Sequence, residues 1–236
     1  MGRQPEEYSD KGKMKLMKEL KTKRLLIVPL SIEQLSDKMK KEQDEHMRKA
    51  YAEMLIGCTE HPNERLWYTD WQIYLRGGTP IGSLGFKGPP INGEVEIGYG
   101  IDEAYRNKGY STEAVKAAMN WAFSRDQVYF VTAETEPDNA ASRRVLEKLA
   151  FSPWGMGKEG PRFEKERHAS TWMSVYLSVG MCFGASIGLA LGNLSIGMAV
   201  GMCFGVAVGA SLDNRDRNKR AAFRAARDRG RAIGDL

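Results

Sequence analysis

Cysteine is scarce: Cys58, Cys182 and Cys203 are the only three in 236 residues. They cannot form a disulfide framework and show no metal-ligand spacing. A reducing, intracellular setting is the simpler expectation, and no metal site is expected. Histidine is equally rare, and His46, His61 and His168 fall outside every motif described below. An apolar leader is missing too: the opening MGRQPEEYSDKGKMK is polar and charged, so no secretory signal is expected. Gly2 is followed by Arg3-Gln4-Pro5-Glu6, without the Ser or Thr that a myristoylation signal needs. The most informative absence is charge over 172–212, where 41 residues contain no Asp, Glu, Lys, Arg or His.

That gap changes the meaning of the net charge of +5. Residues 213–236 hold eight Lys/Arg and four Asp, so +4 of it lies in the last 24 residues. The 212 residues before them carry 27 basic and 26 acidic groups. A basic footprint for nucleic acid on the main body is therefore excluded. With 42% hydrophobic residues, long disorder is excluded for most of the chain.

Periodicity orders the first 170 residues. RLLIVPL at 24–30 reads as a strand with Pro29 near its end. Ser31 with Gln34 forms a capping-box pattern for a helix over 31–40. A second helix is expected over 44–56, stopped by Gly57. Strands over 71–76 and 81–86 flank Gly77-Gly78-Thr79-Pro80 as a hairpin. EVEIGYGI at 94–101 alternates, with Val95, Ile97, Tyr99 and Ile101 on one face. A long helix follows through 111–124, then a strand over 128–134, a helix over 138–149 and short strands at 151–154 and 161–166. The order β-α-α-β-β-β-α-β-α-β-β predicts an α/β fold with a mixed sheet.

The turn between the strand ending near Ile101 and the helix beginning near Tyr110 is rich in Arg106, Lys108 and Gly109. A helix N-terminus there would offer free amides and a positive dipole to a pyrophosphate. An ordinary polar turn is the plain alternative. Three ordered motifs favour the ligand. Arg106-Asn-Lys-Gly109-Tyr-Ser111 resembles the pyrophosphate loop of the GNAT N-acetyltransferases, Arg/Gln-x-x-Gly-x-Gly/Ala. Asn139-Ala-Ala-Ser142, running on to Ala150-Phe151, resembles that family's second motif. KTKRLLIVPL resembles the first strand of the branch containing the ribosomal-protein acetyltransferases.

The resemblance implies a GNAT-like, mostly antiparallel mixed sheet flanked by helices. It also implies acetyl-CoA held between strands splayed at Tyr99–Ile101 and 131–134. Amides of Lys108, Gly109, Ser111 and Thr112 would bind the pyrophosphate, with Arg106 beside them, and Asn139 and Ser142 would contact the rest of the cofactor. Ser111 and Ala150 stand where the family usually has Gly/Ala and Gly. Acetyl transfer to an amine needs a base, and a carboxylate on the strand beside the cofactor suits that task. Glu96 is the first candidate and Glu94, on its face, the second; a solvated sheet-face carboxylate is the plain reading of each. Many family members protonate the leaving thiolate with a Tyr seven residues after the motif Asn. Here that residue is Leu146. Trp67, Tyr68 and Trp71 fall near the expected acceptor side, where core packing is their plainer role, and nothing specifies the amine.

Within the uncharged stretch, Gly180, Gly184, Gly188 and Gly192, then Gly197, Gly201, Gly205 and Gly209, repeat at intervals of four. VGMCFG occurs at 179–184 and again at 200–205. Such spacing lines glycines along a helix face so that two backbones can approach closely. Segments 172–192 and 194–212 have the roughly 20 residues that span a bilayer, and Gly192-Asn193 is a turn signal between them. Lys165 and Arg167 before the pair, and Arg215, Arg217, Lys219 and Arg220 after it, put both ends on the cytoplasmic side. The segment resembles glycine-zipper membrane hairpins. The rival is a soluble helical hairpin buried in a homo-oligomer. The tail is expected either as a basic helix on anionic lipid or as a solvated segment.

The expected domains are a charged lead-in over 1–20, an acetyltransferase domain over 21–168, the hairpin over 172–212 and a basic cytoplasmic tail over 213–236. The expected function is a membrane-tethered, acetyl-CoA-dependent N-acetyltransferase. The alternative is a non-catalytic CoA-binding or assembly protein that oligomerises through the zipper.

Overall fold

A computed structural model describes residues 19–169 and 171–234, with side chains to Arg229. The expected lead-in falls almost wholly outside them. Among the described residues, eight strands and six α-helices follow in chain order: β1 Leu20–Lys21, β2 Leu25–Pro29, α1 Ile32–Lys41, α2 Glu45–Glu60, β3 Asp70–Leu75, β4 Pro80–Phe86, β5 Glu94–Ile101, α3 Tyr110–Phe123, β6 Phe130–Glu134, α4 Ala140–Lys148, β7 Ser152–Met156, β8 Pro161–Glu166, α5 Trp172–Ala190 and α6 Leu194–Gly234. From β2 to β8 this is the order that the periodicity predicts. The strands lie β1-β2-β3-β4-β5-β6-β8-β7. The β5–β6 pair is parallel, whereas β1–β2, β2–β3, β3–β4, β6–β8 and β7–β8 are antiparallel.

Contacts group the chain into two units, Met1–Phe86 with Gly98–Ala118, and Lys87–Ile97 with Met119–Leu236. In the first, Leu25, Ile27, Ile73, Ile81, Ala114 and Val115 are fully buried. Leu30, Leu35, Tyr51 and Cys58 close a smaller cluster under α1 and α2. Ser31 caps α1, its hydroxyl accepting from Gln34 N while the Gln34 side chain accepts from Ser31 N. Gly57 does not stop α2, which runs on to Glu60. A Cβ at Gly57 would strike the Tyr68 ring, so this glycine serves packing rather than termination.

In the second unit Val95, Ile97, Val131, Ala133 and Leu146 are buried. The unit also contains the hairpin. A Cβ at Gly180, Gly184, Gly197 or Gly201 would collide with a glycine carbonyl of the opposite helix, and one at Gly205 with the Tyr176 carbonyl. The glycine rows therefore face each other within one chain. Gly192, with φ +72°, turns the chain between the helices. Large apolar side chains point away from that seam: Val175, Val179, Phe183, Ile187 and Leu189 on α5, and Ile196, Val200 and Phe204 on α6, are all exposed. Both helices are long and apolar enough to cross a membrane. Nothing breaks α6 at Leu212; it continues as one helix through the charged segment. Asp213 accepts from Trp172 N at 2.8 Å and Met173 N at 3.1 Å, satisfying two amides that the start of α5 leaves open.

Candidate active site

The βα turn in the first unit is tied down from several sides. Asp102 N donates to Ile81 O (2.9 Å), fixing the strand end. Arg106 Nε donates to Ile101 O (3.1 Å) and Lys108 Nζ to Ala104 O (3.0 Å), so both cationic side chains clip the turn. Asn107 and Gly109 are both left-handed, with φ of +61° and +76°. Within α3 the first i−4 bond runs from Glu113 N to Gly109 O (3.2 Å). The amides of Tyr110, Ser111 and Thr112 precede it and have no acceptor inside the helix. Three amides and a positive dipole in 14 residues of helix fit a pyrophosphate. Ser111 and Thr112 are half-buried, Ile101 is buried and Tyr99 is half-buried.

In the second unit, Asn139 and Ser142 come together because Asn139 is the N-cap of α4: its Oδ1 accepts from Ser142 N at 3.0 Å. Leu146 is fully buried on the same helix, so it supplies packing and no proton. Ala150 follows α4 with φ +56°, a left-handed conformation that glycine takes without strain.

The candidate carboxylates share one sheet face. Register places Glu94 and Glu96 beside Phe130 and Thr132, and these beside Glu166 and Glu164, with Glu134 opposite Arg162. Val95 and Ile97 point the other way into the core, as the alternation predicts. Next along β5, Gly98 and Gly100 are exposed, and a Cβ at either would meet no atom within 4 Å. Arg162 gathers the cluster: it pairs with Glu94, reaches Glu134 at 3.4 Å and Glu96 at 3.7 Å, and donates to Thr132 Oγ1 at 3.2 Å. Glu96 Oε1 also lies 2.6 Å from Lys87 Nζ, which is 2.8 Å from Glu159.

The tail helix covers this face. Arg227 Nε is 2.5 Å from Glu94 Oε2, its NH2 pairs with Glu164, and its guanidinium lies 4.1 Å from the Phe130 ring centre and 4.8 Å from that of Trp154. Arg220 binds Glu166 at 2.9 Å, and Arg224 pairs with the same residue. Asp216 accepts from the Tyr129 hydroxyl and from Arg167, both at 3.1 Å. Burial pushes the Tyr129 phenol up, and the carboxylate of Asp216 adds to the effect. Three arginines of the tail, Arg220, Arg224 and Arg227, thus meet glutamates of the chain's own sheet, where the sequence suggested a lipid-bound or solvated segment. Sequence reading missed Arg162, Arg227 and this docking. The available signals were Arg220, Arg224 and Arg227 at helical spacing and the alternation of Arg162, Glu164 and Glu166.

Two family models match successive parts of the chain. Residues 24–152 match a family model described as an acetyltransferase (GNAT) domain, and 166–215 match one described as a glycine zipper membrane protein. An 86-residue stretch is 46% identical to the uncharacterized N-acetyltransferase YjdG of Bacillus subtilis, covering 36% of this chain and 51% of that one. The chain spans about half the length of the curated relatives it matches. RimL, a ribosomal L7/L12 alpha-N-protein acetyltransferase solved with coenzyme A, aligns over 65% of this chain and 100% of its own, at 16% identity and TM-score 0.52. The ribosomal-protein-S5-alanine acetyltransferase of Vibrio fischeri aligns over 63% and 96%, at 15% identity and TM-score 0.51. These two likenesses establish the fold.

Proposed function

Because the chain belongs to the GNAT acetyltransferase family, we propose that it transfers an acetyl group from acetyl-CoA to a primary amine while anchored in a membrane by its glycine-zipper hairpin. The observation that carries this reading is the amide-lined turn before α3. Amides of Lys108, Gly109, Ser111 and Thr112 hold the pyrophosphate, with Arg106 keeping the turn closed. Tyr99 and Ile101 border the pantetheine arm. The acceptor nitrogen attacks the thioester carbonyl, an N–C bond forms, and the C–S bond breaks to release CoA thiolate. Before attack the ammonium loses a proton through water to Glu96. With Leu146 in place of the family tyrosine, the thiolate takes its proton from solvent.

Glu96 is preferred to Glu94 on geometry. Both Glu94 oxygens are occupied by arginines, whereas Glu96 meets Lys87 closely and Arg162 only at 3.7 Å. The close engagement of Glu96 by Lys87 favours a second reading, a CoA-binding assembly protein without catalysis. The hairpin supports membrane insertion because its glycines are consumed in the internal seam and its outer surface is apolar. At 1.5 Å per residue, the 19 residues of α5 reach about 29 Å, close to the hydrocarbon thickness. Both helix ends nearest the charged segments then face the cytoplasm. The test is thiol release with a panel of amines, using full-length protein in lipid nanodiscs. Glu96→Gln should lower kcat by about 100-fold or more without changing acetyl-CoA affinity. An unchanged rate rejects Glu96 as base, and no turnover by wild type with any amine favours the binding protein.

A further inference from the structure

Glu113 poses a problem for the anion site. It stands in the first turn of α3, where a carboxylate stabilises the helix but opposes a pyrophosphate on the same amides. The structure answers this with the residue just before β2. Arg24 Nε is 2.6 Å from Glu113 Oε2, and Arg24 N donates to Glu113 Oε1 at 2.8 Å. Thr22 Oγ1 donates to that same oxygen at 2.6 Å. The guanidinium also donates from NH1 to Lys108 O (2.9 Å) and stacks 4.6 Å from the Tyr110 ring centre. Its NH2 would lie 3.5 Å from a Cβ at Gly109. One side chain thus engages the turn at Lys108, Gly109 and Tyr110 and the helix at Glu113.

We infer that Arg24 is a positioning residue for the cofactor: it neutralises Glu113 and braces the Lys108–Tyr110 turn so that the α3 terminus keeps its affinity for the pyrophosphate of acetyl-CoA. The inference rests on the acetyl-CoA reading of that turn. Independently, the group is a built one. Burial alone would raise Glu113, yet the Thr22 hydroxyl and the Arg24 amide and guanidinium outweigh it and hold the carboxyl below its ordinary range. Arg24 acts through other groups, so its loss should change cofactor binding and leave the chemical step intact.

The experiment is isothermal titration of CoA into full-length protein in nanodiscs, for wild type, Arg24→Gln, Glu113→Gln and the double variant, with acetyl-CoA KM and kcat read in parallel. Arg24→Gln is expected to weaken CoA about tenfold, the scale of a charge at a helix terminus. KM should rise with kcat unchanged. The double variant should recover most of that affinity, because the carboxylate that Arg24 neutralises is gone. Equal affinity in wild type and Arg24→Gln overturns the inference, as does equal weakening in the single and double variants. If Arg24→Gln does not fold, Glu113→Gln alone decides: tighter CoA binding supports the inference, and unchanged or weaker binding overturns it. Failure of wild type to bind CoA contradicts the acetyl-CoA reading itself, a separate outcome.

Discussion

Ala150 holds a φ of +56° at the end of α4, a conformation that costs an alanine on the order of 1 kcal/mol relative to glycine. Ala150→Gly should therefore stabilise the protein by about 1 kcal/mol, less the added freedom of the unfolded chain; urea denaturation of full-length protein reads it, and a loss of stability would contradict the strain. Glu113 carries a pH signature. Its carboxyl is held below the ordinary range, so it stabilises the fold at pH values above that ordinary carboxylate range. That contribution is lost as pH falls through the lower folded value. Glu113→Gln should flatten the acid side of the stability profile measured by thermal melting between pH 3 and 6. At this scale the sequence was partly legible. Gly109, Ser111 and the Asn139–Ser142 pair stood out because motif spacing is local, and Glu94 and Glu96 because alternation is local. Arg162 and Arg24 were not identified as partners of these groups, since their contacts span 68 and 89 residues and no local rule sets them.

Elements divide along the same physical line. The capping box at Ser31 and the alternation of β5 rest on neighbours within a few residues, and both form as read. The end of α2 did not follow, because packing against Tyr68 rather than backbone preference put Gly57 there. The tail helix was legible as a stripe of arginines, but its partners Glu164, Glu166 and Glu94 lie 63, 58 and far more positions away. Arg227→Ala would leave Glu94 and Glu164 without that cation in a half-buried setting, and should cost roughly 2 kcal/mol, read by chemical denaturation and by new tryptic cleavage at Arg220 and Arg224. Unchanged protection would mean that the tail does not dock. In the hairpin, Gly201→Leu places a side chain against the Gly180 carbonyl. It should separate the helices, shown by loss of energy transfer between probes on α5 and α6; retained transfer would contradict the glycine seam.

At the scale of the whole molecule, Arg220, Arg224 and Arg227 of the tail are engaged by glutamates, so these three cations are withdrawn from lipid. Membrane association should then depend chiefly on the hairpin. The full chain should resist carbonate extraction, and it should partition equally into neutral phosphatidylcholine vesicles and vesicles containing anionic lipid. A strong preference for anionic vesicles would return the tail to the bilayer surface. The proposed activity depends above all on the turn between β5 and α3. Titration of acetyl-CoA into full-length protein in nanodiscs tests it most directly, beside a Gly109→Val variant that the φ of +76° strains. One molecule of acetyl-CoA bound per chain, with binding lost in the variant, is the predicted result. No binding by wild type, or binding indifferent to Gly109→Val, would contradict it.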